Sequence, residues 1–146
     1  MLETMKSLVR EKDTCVLATV HDNRPHCSLM SYVTDAQCTT IFMVTHRETK
    51  KYRNLTGNPS VSLLIDTREG GPGADRSTTK ALTVAGDFQR LRDPALVSYV
   101  RGTLLAKHPH LREFLYDPDA EVFAVKIKSF QLLEGIKDSS FVEVEQ

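Results

Sequence analysis

The chain has 146 residues, 40% of them hydrophobic and 26% charged. That is the size and composition of one domain folding around its own core, and it excludes an intrinsically disordered chain. Lysine plus arginine equal aspartate plus glutamate at 19 each; this neutral balance argues against a general nucleic-acid or membrane-surface binder but leaves room for one local basic pocket.

No apolar run approaches the ~18 residues of a membrane span, and the opening Met1-Leu2-Glu3-Thr4-Met5-Lys6 lacks a signal-peptide pattern. The three cysteines, Cys15, Cys27 and Cys38, are an odd number without metal-ligand spacing. They suit a reducing cytoplasm rather than a disulfide framework.

Residues 2–12 carry Leu2, Met5, Leu8 and Val9 at helical spacing and predict an amphipathic helix. Residues 15–20 are a short apolar run ending at the turn-forming 21–25, and together they predict a strand and hairpin. Residues 26–34 alternate with apolar and small polar groups on both faces. One face of that strand is expected in a core and the other against a ligand or a partner subunit. A third strand follows at 39–45.

Residues 48–55 predict a short helix, stopped by Gly57 as a left-handed cap and by Asn58-Pro59. Its first turns hold Arg47, Lys50, Lys51 and Arg53 against Glu48 alone. Helix N-termini already carry partial positive charge and free N–H groups, so this clustering is unfavourable unless an anion sits there. Thr49 adds a hydroxyl. A phosphate cradle and a merely solvated basic face both fit the charges.

The near-continuous apolar run 61–65 predicts a central fourth strand. Residues 67–77, with Gly70, Gly71 and Gly73, predict a flexible loop without the Gly-Lys-Ser/Thr ending of a phosphate loop. A long fifth strand spans 78–91, with Gly86 marking a bulge or bend. Asp93-Pro94 opens a helix that runs to His108-Pro109, with room for one more turn at 111–115. The last long strand covers 120–134, with Val122, Ala124, Lys126 and Lys128 on one face and Phe123, Val125 and Ile127 on the other. The polar tail after it carries Phe141 and Val142 as candidates for docking on a neighbour. His108 and His110 lack acidic or cysteine partners at ligand spacing, so a solvent-facing turn is expected there and no metal site. Cys27 reads as a small buried residue rather than a reactive thiol.

The order Thr45, Thr49-Lys50-Lys51, Asn54-Leu55, Asn58-Pro59-Ser60-Val61 resembles the FMN-phosphate segment of the pyridoxamine 5'-phosphate oxidase-like, FMN-binding split-barrel family. The likeness runs element by element over residues 2–133. It implies a mainly β fold, a six-stranded antiparallel split barrel with helical inserts in a single domain 1–146. It also implies a homodimer with FMN at the subunit interface and a small-molecule redox substrate. By resemblance, the flavin-contacting strand matches His26, Cys27, Ser28, Leu29, Met30 and Ser31, the end of the third strand matches Val44 and Thr45, and the phosphate element matches Thr49, Lys50 and Lys51. The flavin-reaching glutamine of the founding oxidase falls near Lys80 or Ala81. The chain also lacks that enzyme's C-terminal Arg-His motif and has no tryptophan. Vitamin B6 oxidation is therefore not expected, and no residue stands out as an acid or base. An FMN-dependent oxidoreductase leads; a non-catalytic flavin carrier or sensor, and a haem- or F420-handling barrel, stay open.

Overall fold

A computed structural model describes residues 1–144 of the chain. Its strands are β1 (Thr14–His21), β2 (Arg24–Ser31), β3 (Val33–Thr34), β4 (Thr40–His46), β5 (Ser60–Asp66), β6 (Lys80–Arg90), β7 (Ala120–Glu134) and β8 (Asp138–Glu143). The helices are α1 (Leu2–Glu11), α2 (Lys50–Gly57), α3 (Pro94–Lys107) and α4 (Arg112–Leu115). The strands form one antiparallel sheet in the order β2-β1-β5-β6-β7-β4-β3, with β8 added on β7. This is the expected mainly β split barrel with helical inserts, and two strands exceed the expected six.

Both extra strands have local causes. The expected strand 26–34 breaks at Tyr32. There the amide donates to Asp13 O and the hydroxyl to Val9 O (2.7 Å), while the carbonyl meets His108 Nε2 at 2.9 Å. Those bonds take Tyr32 out of the ladder and bury it, and His108 with it, against the expectation of an exposed turn at 108–110. Of the two tail candidates, Val142 packs with Val144 on the chain's own main core while Phe141 stays exposed, and pairing with β7 makes 138–143 a strand.

The β1–β2 hairpin has two residues at its turn, Asp22 (φ 49°) and Asn23 (φ 61°), both in the left-handed region that such turns require. Gly57 does not form the expected left-handed cap; it is the last helical residue, and Asn58 leaves in extended conformation. The 67–79 loop is exposed, yet Arg68 pairs with Asp66 at 3.0 Å and Arg76 donates to the carbonyls of Glu69 and Gly71.

The main core lies inside the curled sheet. α1 inserts Met5, Leu8 and Val9 among Leu17, Leu63, Leu82, Phe123 and Phe130. A second core lies under α3 and α4, where Val100, Leu104 and Leu115 cover Val44, Val122 and Ala124. The two faces of β7 separate as the alternation predicts until Lys128. Gly86 pairs with Ile127 and Ala85 with Ser129, so Lys128 is an unpaired extra residue. The bulge reverses the parity, and Phe130 and Leu132 turn inward where Phe123, Val125 and Ile127 had done so.

Asp35 closes the β3–β4 turn. Its carboxylate accepts from Thr39 Oγ1 (2.5 Å), Thr39 N (2.8 Å) and Thr40 N (3.1 Å). Partial burial pushes this carboxyl up, but those hydrogen bonds outweigh burial and hold it below its usual range. A depressed carboxyl stabilises the fold above the unfolded value of about 3.9 and loses that effect as pH falls through the folded value. Asp35→Ala should cost about 1–2 kcal/mol in urea unfolding at pH 7. The gap to wild type should shrink below about pH 4, and a gap independent of pH would contradict this account.

Candidate functional site

β2 is an edge strand with two distinct faces. His26 and Ser28 are half-buried and share the barrel-side face with buried Met30; Cys27 and Leu29 are exposed on the other. Cys27 is thus not the small buried residue expected. The outer face continues across the sheet by register, Leu29 to Val16 to Leu64 and Cys27 to Ala18 to Ser62. These six residues carry no charge, and Leu29 is 77% exposed.

The end of β4 separates two residues that the resemblance grouped together. Val44 points into the core under α3, so only its backbone is free for a ligand. Thr45 is buried on the opposite face, with its Oγ1 3.4 Å from Thr49 Oγ1. α2 begins two residues later than expected because Thr49 is its N-cap. Thr49 Oγ1 accepts from Tyr52 N (3.1 Å) and donates its proton to His46 O (2.8 Å). Thr49 therefore shapes the helix start, and its proton is already engaged.

The four basic residues divide in the same way. Arg47 is held elsewhere, by Glu121 at 2.9 Å and the Pro118 carbonyl. Lys50 and Arg53 are exposed. Lys51 is half-buried, and burial lowers its pKa, with no carboxylate among the described residues acting on it. Among the described residues, the N–H groups of Lys50 and Lys51 have no protein acceptor. A desolvated cation beside two free first-turn N–H groups is electrostatically incomplete without an anion. A phosphate monoester fits that donor set. Within the described residues, the side chains of His26, Ser28 and Ser31 do not hydrogen-bond to this turn; α2 reaches the ring-side strand through β1, where Asn54 Nδ2 donates to Thr19 Oγ1 (3.1 Å) and Thr19 pairs with His26.

Two features were not visible in the sequence. Arg90, at the end of β6, places its guanidinium carbon 5.8 Å from the Tyr52 ring centroid on α2. His46 stands between the turn and the loop before β7. Its Nδ1 accepts from Glu48 N at 3.2 Å, and its Nε2 lies 3.6 Å from Asp117 Oδ1 and 3.8 Å from Asp119 Oδ2. These three side chains have metal-ligand spacing. The Nδ1 contact, however, leaves the neutral ring's proton on Nε2, facing the carboxylates. A metal on Nε2 would need the other tautomer, whose Nδ1–H would oppose the Glu48 N–H, so with this turn intact the three groups act as a His–carboxylate clasp.

The sequence pattern of the pyridoxamine 5'-phosphate oxidase family matches residues 1–134. The chain belongs to that family. No curated protein matches it. Among solved structures it is similar to a haem-binding protein from Mycobacterium smegmatis (TM-score 0.83, 16% identity), covering 97% of this chain and 57% of that one. This chain thus spans little more than half of that relative. HutZ, the haem-storage protein of Vibrio cholerae, shares 23% identity at TM-score 0.74, covering 91% and 93% of the two chains. A FAD-binding protein from Mesorhizobium loti gives 16% identity and TM-score 0.73, covering 90% and 93%. At these identities the likeness is one of fold. Among the described residues, no helix is long and apolar enough to cross a membrane.

Proposed function

We propose that this family member binds FMN and acts as a flavin-dependent oxidoreductase on a small molecule, though not on vitamin B6. The observation that carries the reading is Lys51, a half-buried cation that has no carboxylate partner among the described residues, set beside the unpaired N–H groups of Lys50 and Lys51. In this reading the phosphate rests on Lys50 and Lys51, with Thr45 and Thr49 shaping the turn beneath. The ring lies toward His26, Cys27, Ser28, Leu29, Met30 and Ser31, with the backbone of Val44 nearby. When bound, FMN supplies the redox chemistry; the chain binds it, orients it and excludes water.

The visible spectrum of the purified protein tests the cofactor, with flavin absorption expected. The likeness in fold to two haem proteins favours a second reading, haem handling, and a Soret band in place of the flavin band would establish it. Reduction of bound flavin by NADH or NADPH then separates an enzyme from a flavin carrier.

The same reading makes the protein a cytoplasmic homodimer with FMN at the interface. The six uncharged residues on the outer face of β2, β1 and β5, with Leu29 at their edge and the Asp66–Arg68 pair beside them, offer a patch that a two-fold contact would use twice. Sedimentation at micromolar concentration should give a dimer. Leu29→Glu, which would bury two unpaired charges, should weaken the dimer at least about tenfold. A wild-type monomer that still binds FMN would refute the shared site.

A further inference from the structure

We propose that His46 is a positioning residue for the phosphate cradle: it fixes the 46–49 turn so that the first turn of α2 keeps its N–H groups free for a phosphate monoester. The inference rests on the cradle reading above and adds a residue that the family resemblance does not supply.

Four bonds converge on this turn. His46 Nδ1 accepts from Glu48 N (3.2 Å), and His46 O accepts from Thr49 Oγ1 (2.8 Å). Thr49 Oγ1 in turn accepts from Tyr52 N (3.1 Å), and Arg47 N donates to Asp119 O (2.9 Å). The ring of His46 is aimed by its far side. Nε2 faces Asp117 and Asp119, and the Phe114 ring stands 6.4 Å away between centroids. The chain of contact therefore runs from the loop before β7, through the imidazole, to the N-cap of α2.

The imidazole does here what an asparagine side chain does in an Asx-turn, accepting from the amide two residues on. Without that acceptor the Glu48 amide must find another partner. On this exposed residue water supplies one, and the 46–48 backbone, no longer tied to the imidazole, is then free to shift the N–H groups of Lys50 and Lys51. His46 touches no ligand itself. Its effect on flavin binding should therefore appear for FMN and not for riboflavin.

The test compares FMN and riboflavin binding by flavin fluorescence in wild type, His46→Ala and His46→Asn. Losing the acceptor should weaken FMN about five- to tenfold in His46→Ala, with riboflavin changed by less than about twofold. His46→Asn restores an acceptor at the same place in the turn and should return FMN affinity to within about twofold of wild type. Three results would overturn the inference: FMN affinity unchanged in His46→Ala, equal losses for FMN and riboflavin, or no rescue by asparagine. A wild-type protein that binds both flavins equally would overturn the cradle reading first, and this inference with it.

Discussion

Gly86→Ala should destabilise the fold by about 2–4 kcal/mol, a large loss for removing no contact at all. A Cβ at this position would meet Lys126 O at 2.6 Å and Val125 Cγ1 at 2.7 Å. The first of these is backbone of β7, fixed by pairing on both edges, to β6 and to β4. It cannot swing aside as a side-chain tip would. Opening the gap would also disturb the Lys128 bulge, which sets the inward facing of Phe130 and Leu132. For a domain of this size the loss corresponds to a fall of roughly 10 °C in melting temperature. Gly102→Ala is the control. Nothing lies within 4 Å of a Cβ there, and the position is inside α3, so alanine should stabilise by up to about 1 kcal/mol. Calorimetry on the two variants decides the point; similar melting temperatures would mean that β7 yields at Gly86.

Gly86 was legible as a bulge because a glycine weakens the interior of a strand unless a bend or a close backbone approach requires it. Its partner in that bulge was not. Lys128 lies in an unbroken apolar–basic alternation, and the parity change appears only once the register with β6 is known. The same limit hid the break at Tyr32. A tyrosine flanked by Ser31 and Val33 is good strand material, and it leaves the ladder only because Val9, Asp13 and His108 are brought to it from three other segments. His108 itself looks exposed in sequence, between a helix end and a proline, because its acceptor is 76 residues away.

For the candidate site, charge was the readable part and commitment was not. Arg47, Lys50, Lys51 and Arg53 are equivalent cations on paper. Arg47 is removed by Glu121 and Lys51 singled out by burial, and both facts depend on long-range packing. Thr49 was legible as a polar group at a helix start, but its role as the cap moves that start two residues downstream. His46 gave no signal, since its carboxylates, Asp117 and Asp119, lie far along the chain in the loop before β7.

The largest effect on ligand binding is expected from Lys51→Ala. Lys51 is the one cation of the four that is half-buried and, among the described residues, lacks a carboxylate. Burial has already lowered its pKa, so the folded protein carries part of the cost of desolvating it before any ligand arrives. An anion regains that cost as well as forming the charged hydrogen bond, which is worth roughly 1.5–3 kcal/mol. At about 1.4 kcal/mol per tenfold, Lys51→Ala should weaken FMN by about 10- to 100-fold. Lys50→Ala should act in the same direction but less strongly, because its exposed ammonium is better screened. Arg53→Ala, a turn further from the free N–H groups, should matter least. The fold should hold, since removing a desolvated, unpaired cation costs little and relieves some strain. Riboflavin lacks the phosphate and should bind Lys51→Ala as it binds wild type. Titrating both flavins against both proteins separates the cases. An FMN-selective loss supports the cradle, and equal losses place Lys51 under the ring or in the fold. If neither flavin responds, the phosphate lies elsewhere and α2 presents only a solvated basic face.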